Sequence, residues 1–227
     1  TRKIEDILDE LRYAEGKYNF VWLHDLNMLA DRKFAKILSD AIIEAGIKVN
    51  WGTDGRIELC HDVETLSIMK NAGCSRIALG LESGSEEVLK NIIKGKNLKF
   101  LDRALTNLSK AGISPEMNIM VGYPWEDQES VKATAEIANK YRISFAQYVR
   151  PLRGTPLYEQ YKELGLITKD LTIENYIDVR NYPMFPTLHL SQTEIVNGMK
   201  KIRAPNFAKL TYLRARAALR RSFYGFW

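Results

Sequence analysis

Polar side chains with complementary chemistry follow short apolar runs at five places in the sequence. Carboxylates accept hydrogen bonds from hydroxyl and ammonium groups, and a guanidinium group binds a carboxylate through two parallel N–H bonds. A convergent set with both charge signs therefore suits a small zwitterionic ligand that bears hydroxyl groups, without naming that ligand. In chain order, the residues are His24 and Asp25, Asp54 and Arg56, Glu82 and Ser83, the stretch Gly122 through Glu126, and Gln147, Tyr148 and Arg150.

The apolar runs alternate with helical patterns. Three of these helical patterns end in Ala-Gly, at Gly46, Gly73 and Gly112, and glycine after the last helical turn is the expected left-handed cap. The runs are mostly apolar on successive residues, which is typical of parallel strands covered on both faces. The predicted strands are Phe20 to Leu23, Val49 to Thr53, Arg76 to Leu81, Met117 to Val121 and Phe145 to Arg150.

This alternation predicts an α/β fold, a partial (β/α) TIM-like barrel with parallel strands and right-handed crossovers. We expect the barrel to occupy residues 1–166 and a mainly helical, basic C-terminal extension to occupy residues 167–227. Within it, residues 175–190 are aromatic and interrupted by prolines, with no clear period, and two helices interrupted at Pro205 are expected to follow. Active sites of parallel βα folds lie at the carboxyl ends of the strands, where the polar groups above are expected to meet.

Composition and charge narrow the class of protein. The 227 residues are 45% apolar, enough to bury a substantial core. The sequence has neither a run of about 18 apolar residues nor a signal peptide, so the cytoplasm is the expected location. The net charge is +5, and residues 200–221 carry eight Lys or Arg and no acid. That basic tail fits a solvated helix packed on the barrel, a nucleic-acid or anionic-lipid contact, or a subunit contact.

Four segments share one resemblance. The run Arg76 to Ser85, with the helical residues after it, resembles the fourth strand and following helix of radical S-adenosylmethionine (SAM) enzymes. The similarity is greatest to the cobalamin-associated group with an Elp3/MiaB-like core. The segments Trp22 to Asp25, Trp51 to Arg56 and Met120 to Glu126 resemble neighbouring strand ends of the same family in register.

The resemblance implies roles for individual residues. Glu82 would accept hydrogen bonds from the ribose hydroxyls of SAM, Arg56 would face its methionine carboxylate, and Asp25 would meet its ammonium group. Glu126 would brace the turn after the predicted fourth strand. The other implied cofactor contacts are Ser83, Met120, Val121, Gly122, Pro124, Gln147 and Tyr148, with His24 and Arg150 as substrate contacts.

The sequence departs from the family at its cluster loop. Cys60 and Cys74 are the two cysteines, and their spacing forms no C-x3-C-x2-C run, so we expect buried thiols and no metal site in this chain. The [4Fe–4S] cluster is expected only in a full-length protein whose cluster loop precedes Thr1, with cobalamin possible. Two smaller departures are His24-Asp25 in place of an acidic pair and Trp125 in place of a glycine.

The expected function is therefore that of the SAM-binding portion of a radical SAM oxidoreductase or methyltransferase. In complete form, such an enzyme cleaves SAM reductively to a 5′-deoxyadenosyl radical or transfers its methyl group, whereas this chain alone is expected to be inactive. The substrate, the reaction outcome and the catalytic residues stay open. Two alternatives are a non-catalytic βα-barrel nucleotide-binding module and an RNA-binding protein that uses the basic tail.

Overall fold

A computed structural model describes residues 2–25, 27–92, 97–141, 143–177 and 182–203. Two short 3-10 helices, Met28–Ala30 and Ile57–Leu59, supplement the main elements, and residues 192–203 are helical. The main elements are α1 (Ile4–Ala14), β1 (Val21–Leu23), α2 (Arg32–Glu44), β2 (Trp51–Gly55), α3 (Val63–Asn71), β3 (Cys74–Glu82), α4 (Glu86–Asn91), α5 (Asn97–Ala111), β4 (Ser114–Val121), α6 (Gln128–Lys140), β5 (Ile143–Tyr148), α7 (Pro156–Glu163) and α8 (Glu174–Ile177).

The strands form one five-stranded sheet in the order β1-β2-β3-β4-β5. Strands β1, β2 and β3 pair in parallel, and helices alternate with strands along the chain. The predicted fold class, a partial (β/α) barrel with parallel strands, is confirmed. Within the described part of the chain, no helix is long and apolar enough to cross a membrane.

The described chain divides into two compact units. The first comprises residues 1–81 and 96–117, and the second comprises residues 82–95 and 118–227. Each unit has a buried apolar core; Trp51 is enclosed in the first, and Tyr161 is enclosed in the second. The predicted boundary at residue 166 separates the barrel from the C-terminal extension by sequence pattern and not by compactness in space, and it stays a prediction. The predicted second C-terminal helix, beyond Pro205, lies outside the described residues.

The first unit shows that the strands are not apolar on both faces. Trp22, Gly52 and Arg76 share one row of the β1–β2–β3 register, and Asp54 and Ala78 share the next. This face carries small, aromatic and charged residues, whereas the residues between them, such as Ile77 and Leu79, are fully buried.

The polar face explains why β4 begins earlier than predicted. Strand β4 was expected to begin near Met117 but begins at Ser114. Glu116 lies in this early part of the strand and pairs with Arg76 at 3.2 Å, so the strand begins with polar residues. Sequence reasoning that looked for an apolar run missed these positions.

Side-chain caps fix where several helices begin, because each cap satisfies a backbone N–H that has no partner within the helix. The capping oxygens come from Asp31 for α2, Asp62 for α3, Ser85 for α4, Asp127 for α6 and Thr155 for α7. At Asp127 the cap is reciprocal, since the Ser130 side chain accepts from the Asp127 backbone. The helices that precede the site residues thus begin at fixed positions.

The glycine caps after α2 and α3 differ in their surroundings, and this difference yields a prediction. Gly46 (φ +66°) has open space where a Cβ would stand, whereas a Cβ on Gly73 (φ +97°) would lie 2.2 Å from the Val49 carbonyl oxygen. Gly46→Ala should therefore lower the free energy of unfolding by about 1 kcal/mol, the cost of a left-handed alanine. Gly73→Ala should cost roughly 2 kcal/mol more, because a backbone atom must also move. Chemical denaturation of both variants measures the difference, and equal costs would contradict the close approach of the Val49 backbone to Gly73.

Candidate functional site

A clamp on the turn after β4 dominates the second unit. The Glu126 side chain folds back over the turn, and its Oε2 accepts from the backbone N–H of Gly122 at 2.5 Å and from that of Tyr123 at 3.2 Å. The Tyr161 hydroxyl of α7 donates to the Gly122 carbonyl. Both backbone polar groups of Gly122 are thus held by buried side chains. The residue itself has φ +106°, a conformation that glycine adopts without strain.

Glu126 is fully buried, and its Oε1 has no hydrogen-bond partner. Burial disfavours the charged form and raises the pKa of this carboxyl to about 7, while the two backbone N–H bonds oppose the shift. The predicted bracing role of Glu126 therefore has a visible basis in the hydrogen bonds to the turn. The carboxyl holds backbone, and burial separates it from solvent.

Glu82 ends β3 in an unusual backbone conformation. Among the described residues it is the only one other than glycine with a positive φ, at 68°. A non-glycine residue in this region costs on the order of 1–3 kcal/mol and persists where its surroundings enforce it. Its charge, after burial, contributes to raising the pKa of Tyr123, so the carboxylate lies near the clamped turn. Glu82 and the turn after β4 therefore belong to one neighbourhood of the second unit.

The Ser83 side chain forms its hydrogen bonds within the protein. Its side chain is fully buried; its hydroxyl lies 3.2 Å from the Thr134 hydroxyl of α6 and accepts from the Ser85 N–H at 3.1 Å. The next residue, Gly84, packs so closely on α6 that a Cβ would lie 2.6 Å from the Ala133 carbonyl oxygen. The Ser83 hydroxyl thus fastens the loop after Glu82 to α6. The whole residue is buried, and its contact with a cofactor stays a prediction.

The remaining predicted contacts on and after β4 vary in exposure. Val121 is fully buried, backbone included, and its carbonyl accepts from the Val149 N–H at 2.9 Å, whereas Met120 is partly buried against the apolar cluster below the turn. Pro124 is buried, and its carbonyl accepts from the Leu188 N–H at 2.9 Å.

On and after β5, Tyr148 is buried and Gln147 is exposed, with Arg150 intermediate. The guanidinium group of Arg203 lies 5.9 Å from the Tyr148 ring centroid and donates to the Ala146 carbonyl at 2.6 Å. Burial raises the pKa of Tyr148, and the Arg203 charge opposes that shift. Arg203, in the last described helix, therefore packs against the Tyr148 ring.

The apolar cluster beneath the turn is built from aromatic residues of several elements. Tyr123 stacks on Trp125 with the ring planes 11° apart, and Phe185 packs on Tyr161 at 5.8 Å between ring centroids. Trp125, which departs from the family's glycine, is thus accommodated by packing. The buried members are Val88, Tyr123, Val149, Tyr158, Tyr161, Ile167 and Leu171.

In the first unit, the predicted contacts are engaged with neighbouring groups. The Arg56 guanidinium forms a 2.5 Å ion pair with Glu58, although its side chain is 54% exposed. Asp25 is exposed, and its Oδ1 accepts from the Asn27 N–H at 2.8 Å. A ligand carboxylate at Arg56 would therefore compete with Glu58, a neighbour that sequence reasoning overlooked.

An aromatic row accompanies these residues. The Trp22 ring lies 5.9 Å from Phe20 and 6.4 Å from His24, and its indole N–H donates to Asp54 Oδ2 at 2.9 Å. A Cβ on Gly52 would lie 2.8 Å from both Phe20 and Trp22, so the rings fill the space above that glycine. The i, i+2 spacing of the three rings was the sequence signal that could have revealed this row.

The thiols do not fit an iron-sulfur cluster. Cys60 and Cys74 are buried, and burial raises the pKa of each to about 12, which disfavours the thiolate form that cluster iron requires. Within the described ranges, no group of three or more His, Cys, Asp or Glu side chains could hold a metal ion. No chemical step on a cluster is therefore derived from these residues.

The buried carboxyl predicts a pH dependence of stability. The pKa of Glu126 in the folded chain, about 7, exceeds its ordinary value of 4.5, so the folded state holds the proton more tightly. This contribution is present below pH 4.5 and is lost as the pH rises through 7. We expect Glu126→Gln to remove it, changing the stability difference between variant and parent by on the order of 3 kcal/mol across that range.

Urea unfolding of parent and Glu126→Gln at several pH values measures this difference. Asp127→Asn is the control, because the pKa of this neighbouring carboxyl is lowered by its bonds to Ser130. Its stability contribution runs in the opposite direction, present at higher pH and lost on acidification. A parallel pH course for the parent and Glu126→Gln would show that Glu126 does not retain its proton.

Known proteins provide an independent comparison. The uncharacterized methyltransferase PH0819 of Pyrococcus horikoshii is 29% identical over 161 residues, which cover 69% of this chain and 35% of that protein. A tRNA-2-methylthio-N(6)-dimethylallyladenosine synthase of Corynebacterium glutamicum is 33% identical over 167 residues, 70% of this chain and 30% of that protein. The chain thus spans about a third of the length of these relatives.

Solved structures agree on the fold. The radical SAM methyltransferase TsrM from Kitasatospora setae, with tryptophan substrate and a SAM analog bound, superposes with a TM-score of 0.60 at 17% identity. The match covers 72% of this chain and 33% of that chain. The family described as the Radical SAM superfamily matches residues 1–138, more than half of the sequence. The chain therefore belongs to the radical SAM superfamily.

Proposed function

We propose that this chain is the SAM-binding portion of a radical SAM enzyme, and that its second unit binds the nucleoside end of SAM. The observation that carries the proposal is the strained Glu82 beside the clamped turn of Gly122 and Tyr123. A carboxylate held at a strand end suits the two ribose hydroxyls, since an ionised carboxylate offers several acceptor sites. A glycine in the neighbouring turn allows a planar base to approach the backbone.

Met120, Val121, Gly122 and Pro124 remain proposals for contact with the base. Met120 is partly exposed, whereas the other three residues are buried in the ligand-free chain. Gln147 and Tyr148 remain proposals for adenine or substrate contact.

In the first unit, Arg56 and Asp25 remain proposals for the carboxylate and ammonium of the methionine part. His24 is a proposal for substrate contact, as is Arg150 in the second unit. Glu58 adds a condition for Arg56, because the ion pair at 2.5 Å must open before the guanidinium can bind another carboxylate. The Glu58 side chain is 25% exposed, so opening the pair must also leave a partly buried carboxylate without its partner.

The activity of the whole protein is also a proposal, since the aligned residues cover only 35% and 30% of these two relatives. A [4Fe–4S] cluster, when bound to the cysteine loop of a complete enzyme, supplies the electron that cleaves SAM. We propose that a complete enzyme that contains this chain carries such a loop and binds cobalamin, and that this chain alone is inactive. β1 stands at one end of the strand order, beside a cleft of about 850 Å³ lined by α1, β1 and α2.

A second candidate function is a nucleotide-binding module without redox chemistry. Such a module would need only the proposed nucleoside site at Glu82 and the turn after β4, and both lie within this chain. Both candidates require a nucleoside site at Glu82, and they differ in whether the gene encodes a C-x3-C-x2-C segment joined to this chain. Cytoplasmic location and RNA contact through the basic tail stay predictions, the latter on residues largely outside the described ranges.

Nucleoside binding can be tested on this chain without a cluster. 5′-Deoxyadenosine has the base and ribose of SAM but lacks the amino and carboxylate groups that cluster iron binds, so its affinity reports on this chain's own residues. We expect calorimetry to detect binding of 5′-deoxyadenosine and SAM to the parent. Glu82→Ala should weaken both at least about tenfold, because it removes charge-assisted hydrogen bonds to the ribose.

Glu87→Ala is the matched control, since Glu87 is an exposed carboxylate in the first turn of α4. It should leave both affinities unchanged. A parent that binds neither ligand, or a Glu82→Ala variant that binds as tightly as Glu87→Ala, would refute the proposed nucleoside site.

Backbone strain at Glu82 gives a second test. Glycine adopts φ of 68° without the steric cost that Glu82 bears, so Glu82→Gly should raise the free energy of unfolding by roughly 1 kcal/mol. The same change should abolish nucleoside binding, which would identify Glu82 as kept for function at the expense of stability. Thermal unfolding and calorimetry together decide: lower stability in Glu82→Gly would indicate a structural role for the carboxylate.

A further inference from the structure

Residues 182–191 form a segment, here named the strap, that lies against the turn after β4. The strap is held to the turn at two points: the Thr187 hydroxyl donates to the Glu126 carbonyl at 2.7 Å, and the Leu188 N–H donates to the Pro124 carbonyl at 2.9 Å. These carbonyls belong to the same five-residue turn that Glu126 clamps from inside. The turn is therefore gripped from two sides, by its own carboxyl and by the strap.

Thr187 is the node of this contact. It is 5% exposed, and its hydroxyl accepts from the N–H groups of His189 at 3.1 Å and Leu190 at 2.8 Å while donating to Glu126. One donor and two acceptor positions are the full capacity of a hydroxyl, so every hydrogen bond that Thr187 can make is used. The Thr187 N–H also donates to the Leu190 carbonyl at 2.9 Å, which closes the strap on itself.

Apolar side chains of the strap also pack against the buried cluster next to the turn. Met184 and Phe185 are partly buried against the cluster that contains Tyr123 and Tyr161, the residue that holds the Gly122 carbonyl. The Gln192 side chain, at the start of the last described helix, donates to the Pro183 and Met184 carbonyls at 2.7 and 3.1 Å. The strap is thus fixed at its centre, near its beginning and at its end.

We propose that Thr187 is a positioning residue for the nucleoside site, holding the Gly122–Glu126 turn through the Glu126 backbone. This proposal rests on the proposed function of that turn. Thr187 lies 61 residues beyond Glu126 in sequence and touches no ligand in the proposal; it acts by limiting how far the turn can open. The C-terminal segment is then part of the nucleoside site, although the family match ends at residue 138.

The test uses two variants of one side chain. Thr187→Val keeps the volume and branching of threonine but removes the hydroxyl, whereas Thr187→Ser keeps the hydroxyl. In NMR amide exchange of the ligand-free chain, the Gly122 and Tyr123 amides should exchange at least about tenfold faster in Thr187→Val, because one buried hydrogen-bond anchor of the turn is lost. Thr187→Ser should restore parent rates. The Leu89 amide of α4, which donates to the Ser85 carbonyl, corrects for any change in global stability.

Thr134→Val is the matched control for exchange. Thr134 is also a buried threonine of the second unit, but its hydroxyl serves Ser83 and Gly84 in the loop after β3. Its loss should leave the Gly122 and Tyr123 amides at parent rates after the same correction. Acceleration of these amides by Thr134→Val as large as that by Thr187→Val would overturn the specific contact between strap and turn.

The affinity for 5′-deoxyadenosine shows whether the Thr187 hydroxyl positions the nucleoside site or only contributes to packing. At a temperature where every variant is fully folded, Thr187→Val should bind 5′-deoxyadenosine about fivefold more weakly than the parent, and Thr187→Ser should match the parent. Faster exchange with unchanged affinity would overturn the positioning role, as would unchanged exchange. A parent that binds no nucleoside overturns the proposed function, and the positioning role with it, whereas unchanged exchange overturns the positioning role alone.

Discussion

The hydrogen bonds from Gly122 and Tyr123 to the Glu126 carboxyl are the constraint on which the second unit depends. One oxygen holds two backbone N–H groups, and the full burial of the side chain keeps water from competing for them. Tyr161 from α7 and Thr187 from the strap then attach to carbonyls of the same turn. Elements far apart in sequence thus share one anchor, which is why the C-terminal segment packs where it does.

Glu82 shows the opposite case, in which the backbone conformation of one residue raises the free energy of the folded state. The turn after β4 satisfies its backbone with buried side chains, whereas the end of β3 holds a non-glycine residue at φ of 68°. The following loop enforces this conformation, because Ser83 and Gly84 are tied to Thr134 and packed against α6. A rigid loop on one side and a clamped turn on the other leave a carboxylate in a strained position, an arrangement common where strain serves ligand binding.

Much of the fold was predictable, and parts of the site were not. The Ala-Gly caps and the alternation of strands with helices indicated the βα order, since both are local signals. The polar start of β4 was missed because Arg76 and Glu116 pair across neighbouring strands but lie 40 residues apart in sequence. Ser83 lay within the family segment, yet its hydroxyl faces Thr134 of α6, and nothing local reports that contact. Thr187 was overlooked for the same reason, because its partner Glu126 lies 61 residues away in sequence. Glu58, by contrast, lies only two residues from Arg56, and this local pairing was missed.

The most direct measurement of the central claim is an NMR titration of the isotopically labelled chain with 5′-deoxyadenosine. If the second unit binds the nucleoside, the backbone amide signals of Glu82, Gly122 and Tyr123 should shift together with the Met120 methyl signal, all with one binding constant. Nuclear Overhauser effects should connect the adenine protons to Met120. Shifts confined to other residues, or no shifts at millimolar ligand, would contradict a nucleoside site at the turn after β4.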